Sequence, residues 1–170
     1  MIKRDTLENR VKLVYLGIGS NLGNRKNYIE KSKFLLNQNN VEIIKCSSYF
    51  ESLSWPDTRN PKFLNIVLET LTILDPSELL NLCKKIEIDL GRKKRLKNSP
   101  RECDIDILDY NNTKSEGKIV LPHPRMHQRN FVLFPLFEIN KGWKHPVLKH
   151  NIKTLIFSLP NSDIRSIKQI

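Results

Sequence analysis

Cysteine is scarce in this chain and poorly placed for cross-linking: Cys46, Cys83 and Cys103 are the whole set, with no C-x-x-C pair. An odd, scattered trio excludes a disulfide framework and a cysteine zinc site, and fits a reducing compartment, so a cytoplasmic location is expected. Long apolar runs are missing too. Nothing approaches the roughly 20 residues that a membrane span requires. The first ten residues include Lys3, Arg4 and Arg10 but no apolar stretch before Val11, so no secretory signal is expected. Only six glycines occur. Three of them, Gly17, Gly19 and Gly23, follow a strand-like segment at G-x-G-x-x-x-G spacing. That is one residue too long for a dinucleotide fingerprint, and the chain lacks room for a doubly wound sheet, so a tight strand-to-helix turn is the reading. No G-x-x-x-x-G-K-[ST] segment exists, which excludes a P-loop.

Acidic residues are also in deficit, 18 against 29 Lys plus Arg, for a formal net charge of +11. Such a balance favours polyanions: nucleic acid, an acidic membrane face or a phosphorylated substrate. It is equally the background of a chain rich in Lys, Asn and Ile. The segment Arg92-Lys-Lys-Arg-Leu-Lys97 is sharper, with five cations in six residues. It reads as a solvated loop, as a lid bringing Arg92, Arg95 and Arg101 onto phosphate oxygens, or as a nucleic-acid patch. Interleaved aromatics for base stacking are absent from it.

With 170 residues, 39% of them hydrophobic, the chain is expected to form one domain over 1–170, with no internal repeat or linker. Val11–Ile18 reads as a strand, 25–37 as a helix, 41–50 as a strand, 51–62 as a loop and 63–73 as a strand. The following helix is the best signed. Asp75 suits the N-cap, Pro76 the first helical position, and Leu79, Leu82, Cys83, Ile86 and Leu90 form one apolar stripe closed by Gly91. Asp104–Tyr110 is a strand. A segment from Arg129 is helical up to Pro135, where it should bend or end. A last short helix over 152–159 stops at Pro160. The order β-α-β-β-α-β predicts an α+β, ferredoxin-like core: an antiparallel sheet with helices on its faces.

Chemistry concentrates in Pro100-Arg-Glu-Cys-Asp104-Ile-Asp106-Ile-Leu108. A strand's period of two puts Asp104 and Asp106 on one face and Ile105 and Ile107 on the other. Two adjacent carboxylates repel unless a cation lies between them, and hard oxygen donors suit Mg²⁺ carried on phosphates. The alternative is a pair of acids on a solvated face, but Arg101 and the basic loop beside them supply what a phosphate–Mg²⁺ complex needs. His123, pinned between Pro122 and Pro124 near Arg129, is either structural or a phosphate donor. Phe63 and Asn65 share a face opposite Leu64 and Ile66. Phe63 and Phe131 could sandwich a flat heterocycle, with Asn65 offering donor and acceptor together, or Phe131 could simply be core.

Several ordered segments carry a further signal: Tyr15-Leu-Gly-Ile-Gly-Ser-Asn-Leu-Gly23, Ser47-Ser-Tyr-Phe50, Phe63-Leu-Asn65, Ile86-Glu87 with Gly91-Arg92, Pro100-Arg-x-x-Asp-Ile-Asp-Ile-Leu108, Leu121-Pro-His123, and Arg129-x-Phe131 leading to Phe134-Pro-Leu-Phe-Glu138. Together they resemble the 6-hydroxymethyl-7,8-dihydropterin pyrophosphokinase family of folate biosynthesis, over about residues 13–139. The resemblance implies transfer of the β,γ-pyrophosphoryl group of ATP to the pterin hydroxymethyl oxygen, with release of AMP. It implies two Mg²⁺ ions on Asp104 and Asp106, and a pterin between Phe63 and Phe131, its edge read by Asn65 and by Ser52, Leu53 and Ser54. It places Lys84, Glu87, Ile107, Lys118 and His123 at the nucleotide and Arg129 on its phosphates. Arg92 and Arg101 would stabilise charge as the bridging bond breaks. The chain departs from the family at Phe63, commonly Tyr, at Ser52-Leu-Ser-Trp55, at Lys84 and Lys94, and at Asn98-Ser99. A monomer acting on these two small molecules is expected, with neither nucleic acid nor membrane as partner. Nucleic-acid binding and a catalytically dead scaffold are the competing readings. Residues 1–10 and 140–170 carry no functional signal.

Overall fold

A computed structural model describes residues 11–93 and 98–170. The basic-cluster residues Lys94, Arg95, Leu96 and Lys97 therefore lie outside the described residues, as does the 1–10 segment. β1 (Lys12–Ser20) leads into α1 (Arg25–Gln38), and β2 (Val41–Cys46) and β3 (Phe50–Ser52) precede β4 (Phe63–Thr72). α2 (Pro76–Asp89) and β5 (Asp104–Tyr110) complete the core. Then come a two-stranded ribbon, β6 (Ser115–Glu116) and β7 (Val120–Leu121), helices α3 (Asn130–Ile139), α4 (Ile152–Phe157) and α5 (Asn161–Ser166), and β8 (Lys168–Gln169). The main sheet runs β5-β1-β4-β3-β8, with β2 also on β4, and the pairings are antiparallel. This is the expected α+β architecture.

Local chemistry explains the elements. Gly23 takes the left-handed turn at φ +65, and the Asn24 side chain accepts from the Asn27 N–H to open α1. Asp75 and Glu78 form a reciprocal capping box at the start of α2, and Gly91 leaves it at φ +98. One sheet face packs Leu16, Ile18, Ile66, Leu68, Ile105 and Ile107 against α1 and α2. On the other, Tyr15, Val67 and Leu108 pack with Val132, Leu133 and Leu136 of α3 and with Trp143, Ile152 and Leu155. Strand alternation thus feeds two cores, and α3 covers only part of its face.

Three local expectations are corrected. The 41–50 segment is two strands, because Ser47 leaves the regular ladder: its hydroxyl accepts the Val67 N–H at 2.9 Å while Glu138 takes the Ser48 N–H at 2.8 Å. Glu51 and Ser52, at the start of the expected 51–62 loop, pair with β4 together with Phe50. The α3 helix runs through Pro135 to Ile139, since Val132, Leu133 and Leu136 are buried on both sides of the proline and their packing outweighs one missing N–H. Beyond Pro160 the chain adds α5 and the edge strand β8 on β3, neither of them apparent from periodicity. Among the described residues no helix is long and apolar enough to cross a membrane.

Candidate active site

Register across three strands builds the site. Gly19 of β1 pairs with Asp104 of β5 on one side and with Asn65 of β4 on the other. Gly17 pairs likewise with Asp106 and Val67. Residues in register share a face. The glycines therefore form a floor without side chains, flanked by the two carboxylates and by Asn65. A Cβ at Gly19 would lie 3.2 Å from Asn65 Oδ1 and 3.3 Å from the Phe63 ring, so glycine is what lets these groups converge.

One cleft lies over this floor and a second adjoins it, the two sharing Arg101, Asp104, Asp106 and Arg129. The first, about 430 Å³, is lined by Gly17, Gly19, Phe63, Asn65 and Phe131, with Arg101, Asp104, Asp106 and Arg129 at one end. Asn65 is buried and donates from Nδ2 to Phe50 O at 3.2 Å and to Ser52 Oγ at 3.0 Å. Ser52 is buried beside it and Ser54 is buried too, while Leu53 is exposed; Leu53 and Ser54 line a neighbouring cleft with Trp55 and Phe131 rather than this one. The second cleft, about 800 Å³, is polar and is walled by Lys84, Arg92, Arg101, Asp104, Asp106, His123, Arg125 and Arg129. Arg101 Cζ stands 5.2 Å from the Phe63 ring centre and Arg129 Cζ 5.4 Å from that of Phe131, so a guanidinium abuts each aromatic wall.

Charge is tightly balanced at the junction. Asp104 meets Arg92 Nη1 on Oδ1 and Arg101 Nη2 on Oδ2, each at 2.7 Å. Burial pushes the Asp104 carboxyl upward, but Arg101 and Arg92 more than offset this and hold it below the usual carboxylate range. Asp106 accepts from Arg129 Nη1 at 3.1 Å. The His123 Nδ1 accepts the Arg125 N–H at 3.1 Å, which leaves the ring proton on Nε2, 3.8 Å from Asp106 Oδ2. Desolvation lowers the His123 pKa, outweighing Asp106, so the ring is a neutral donor at pH 7.

The donor set fits an incoming magnesium–phosphate group. Asp104 and Asp106 offer hard oxygens on one face, and no cluster of three or more metal-ligating side chains exists among the described residues. A hard cation here would complete its shell with phosphate oxygens and water, as Mg²⁺ does. Arg101 Nε is buried without a hydrogen-bond partner, an orphan donor that an added anion would satisfy.

Other expected residues fall elsewhere. Glu87 is 1% exposed and sits behind the cleft rather than on its wall. It accepts the Ile105 N–H at 2.8 Å and pairs with Arg92 at 2.6 Å and Lys84 at 3.1 Å. The Ile107 side chain belongs to the core on the opposite sheet face, because alternation that aims Asp106 at the cleft aims Ile107 away. Lys118 is exposed in the β6–β7 turn and lines neither cleft. Asn21, part of the Tyr15–Gly23 motif but given no role there, is buried between the loop after β3 and the loop before β5.

Comparison with known proteins agrees with this geometry. Residues 15–141 match the family model described as 7,8-dihydro-6-hydroxymethylpterin-pyrophosphokinase (HPPK). The 2-amino-4-hydroxy-6-hydroxymethyldihydropteridine pyrophosphokinase of Aquifex aeolicus is 43% identical over 141 residues, covering 82% of this chain and 88% of that protein. The Bacillus subtilis protein of the same name is 40% identical over 129 residues, covering 75% and 77%. Among solved structures, a Plasmodium falciparum HPPK-DHPS with pteroate superposes with a TM-score of 0.72 at 16% identity, over 97% of this chain and 47% of that one, which shows the shared fold. This chain thus spans about half the length of that longer protein. A contiguous family match across the whole cleft, with two relatives of 40% identity or more, decides the matter: the chain belongs to the 7,8-dihydro-6-hydroxymethylpterin-pyrophosphokinase family.

Proposed function

We propose that this chain carries out its family's reaction, transfer of pyrophosphate from ATP to the hydroxymethyl group of 6-hydroxymethyl-7,8-dihydropterin in folate biosynthesis, with the polar cleft holding the triphosphate and the apolar cleft the pterin. The observation that carries the reading is the cross-strand row Asp104–Gly19–Asn65, which sets a cation-binding carboxylate and a heterocycle-reading amide on either side of one bare residue.

Phe63 and Phe131 bind the pterin ring by its faces, and Asn65 with Ser52, Leu53 and Ser54 reads its edge. Asn65 Oδ1 accepts while its Nδ2 is already held by Phe50 O and Ser52 Oγ, so the amide is oriented before substrate arrives. Asp104 and Asp106 would hold two Mg²⁺ ions. Bound there, the ions would neutralise phosphate charge and align the triphosphate. Arg92, Arg101, Arg129, Lys84 and the His123 Nε2–H donate to phosphate oxygens. The hydroxymethyl oxygen forms a bond to the β-phosphorus as the bond from that phosphorus to the α,β-bridging oxygen breaks. AMP keeps the bridging oxygen, and the hydroxyl proton is released. No protein nucleophile is needed: positioning and charge stabilisation supply the rate. Monomeric action in the cytoplasm, without nucleic acid as partner, completes the reading.

The test is AMP formation from ATP, Mg²⁺ and 6-hydroxymethyl-7,8-dihydropterin. Pterin-dependent AMP release is expected. Release no faster than in a pterin-free control would refute the reading and favour a scaffold.

A further inference from the structure

We propose that Asn130 is a positioning residue through which the segment Asn161–Ile170, lying beyond the family-matched residues 15–141, sets the pterin wall at Phe131. The inference rests on the pterin-cleft reading above and deepens it, by assigning part of that site's geometry to a stretch of chain outside the family match.

The start of α3 lacks the usual cap, because the Arg129 side chain at the N-cap position makes no hydrogen bond to it. Asn130, the first helical residue, takes over. Its Oδ1 accepts the Phe131 N–H at 2.7 Å, while its Nδ2 donates to Asp163 O at 2.7 Å and to Ser166 Oγ at 3.2 Å. The Ser166 hydroxyl donates in turn to Asp163 O at 3.0 Å, which closes α5 on the amide. Both ends of the Asn130 side chain are therefore engaged, one on the peptide that carries the Phe131 ring and the other on α5. Asp163 and Ser166 also line, with Trp55, Asn130 and Phe131, the neighbouring cleft of about 680 Å³.

The same segment reaches the other side of the pterin cleft. Past Ile167 it forms β8, which pairs Gln169 with Phe50 and Lys168 with Glu51, and the Ile170 N–H donates to Tyr49 O at 2.9 Å. β3 is the strand whose Phe50 O and Ser52 Oγ hold the Asn65 amide. One stretch of chain thus braces the ring wall at Phe131 and the strand behind Asn65, while the walls of the polar cleft come from other parts of the chain. A carboxamide supplies the oxygen and the two hydrogens that this junction uses. Fixing the Phe131 peptide fixes the direction of its Cα–Cβ bond, so the ring stands in place before substrate arrives, and that ordering is not drawn from binding energy. Stacking on the ring acts alike in the ground state and the transition state. Its loss therefore raises KM and spares kcat.

The experiment follows AMP release by the full chain, first with pterin varied at saturating MgATP and then with ATP varied at saturating pterin. Asn130→Asp keeps an oxygen for the Phe131 N–H and turns the donation to Asp163 O into repulsion. Ser166→Ala removes the other acceptor without adding charge. Each lost hydrogen bond is worth a factor of about 2 to 10 in affinity, so the pterin KM is expected to rise about fivefold or more in Asn130→Asp and about threefold or more in Ser166→Ala. In both, kcat and the ATP KM should stay within about twofold of wild type. Smaller rises, or an equal rise in the ATP KM, would overturn the proposal. A rise in Asn130→Asp alone would trace the effect to the new charge and overturn it as well. If Asn130→Asp does not fold, as its melting profile will show, Ser166→Ala decides by the same comparison. A wild type that turns over beside unaffected variants defeats this inference alone, whereas a wild type without pterin-dependent AMP release defeats the proposed reaction and takes the inference with it.

Discussion

Arg101 Nη2 and Arg92 Nη1 each stand 2.7 Å from a different oxygen of Asp104, so a single carboxylate joins the two arginines that flank the polar cleft. Asp104 is held ionised by these contacts despite its burial. A carboxylate so held is ready to exchange a guanidinium partner for a cation without a protonation step. The Asp104→Asn substitution keeps the shape and removes the charge. Loss of one preorganised electrostatic group costs about 10²–10³ in turnover. We expect a loss of at least that size in AMP release at saturating substrates, and a similar loss for Asp106→Asn. Chelation with EDTA should abolish turnover in the wild type, and added Mg²⁺ should restore it. An Asp104→Asn enzyme within tenfold of wild type would remove the carboxylate from the mechanism.

The bare floor offers a sharper test of the pterin half. Gly19 has no positive φ to explain it, so its requirement is one of space. In Gly19→Ala the new methyl would press on Asn65 Oδ1 and the Phe63 ring at 3.2 and 3.3 Å. Asn65 is held by two hydrogen bonds and cannot retreat cheaply. The expected result is a pterin KM raised by about tenfold or more, in line with about 1–3 kcal/mol of overpacking, and an ATP KM within about twofold. Equal changes in both constants would show that the methyl acts on the fold rather than on the heterocycle site.

Much of this site was legible because it lies on strands. Alternation alone placed Asp104 with Asp106 and Phe63 with Asn65 on one face, and the capping residues of α2 marked that helix directly. What could not be read depends on partners far away in the chain. Asn21 meets Ser54, Pro61 and Arg101 at separations of 33, 40 and 80 residues, and nothing local to Asn21 reports them. Glu87 was expected at the nucleotide, yet its helical position turns it under β5, where it takes the Ile105 N–H. Pro135 was expected to bend or end α3. The buried apolar residues around it decided otherwise, a tertiary effect that propensity does not see.

Glu87 supports the site from behind, and its contribution is measurable as stability. Its carboxylate is 1% exposed and serves Ile105, Arg92 and Lys84 at once. In Glu87→Ala the Ile105 N–H is left buried without its acceptor, while Arg92 keeps Asp104. Leaving that N–H unpaired costs about 1–3 kcal/mol. Glu87→Gln keeps an acceptor for Ile105 and should cost less. Urea unfolding of the two variants checks the order. An alanine variant as stable as wild type would mean that the Glu87 contacts do not hold the fold.

His145 gives the fold a dependence on pH at a site remote from the chemistry. The ring is 4% exposed, edge-on to His127 at 5.5 Å and to Trp143 at 5.8 Å. Its Nδ1 accepts the Val147 and Leu148 N–H groups at 3.2 and 3.1 Å. Burial first, then the neighbouring His127, His150 and Lys149, pushes its pKa from 6.5 down to about 4. In the unfolded chain the ring takes up a proton near 6.5, whereas the folded ring resists until about 4. The unfolded state therefore binds more protons inside that window, and stability is lost as pH falls through it. The full contribution is at most about 3 kcal/mol, and it is intact above 6.5. His145→Asn supplies a non-titrating acceptor for the same two N–H groups. Urea midpoints at about pH 7.5 and about pH 4.5 should fall further in wild type than in the variant, by an amount set by this linkage. If both proteins lose equal stability between the two conditions, protonation of His145 is not what weakens the fold in acid.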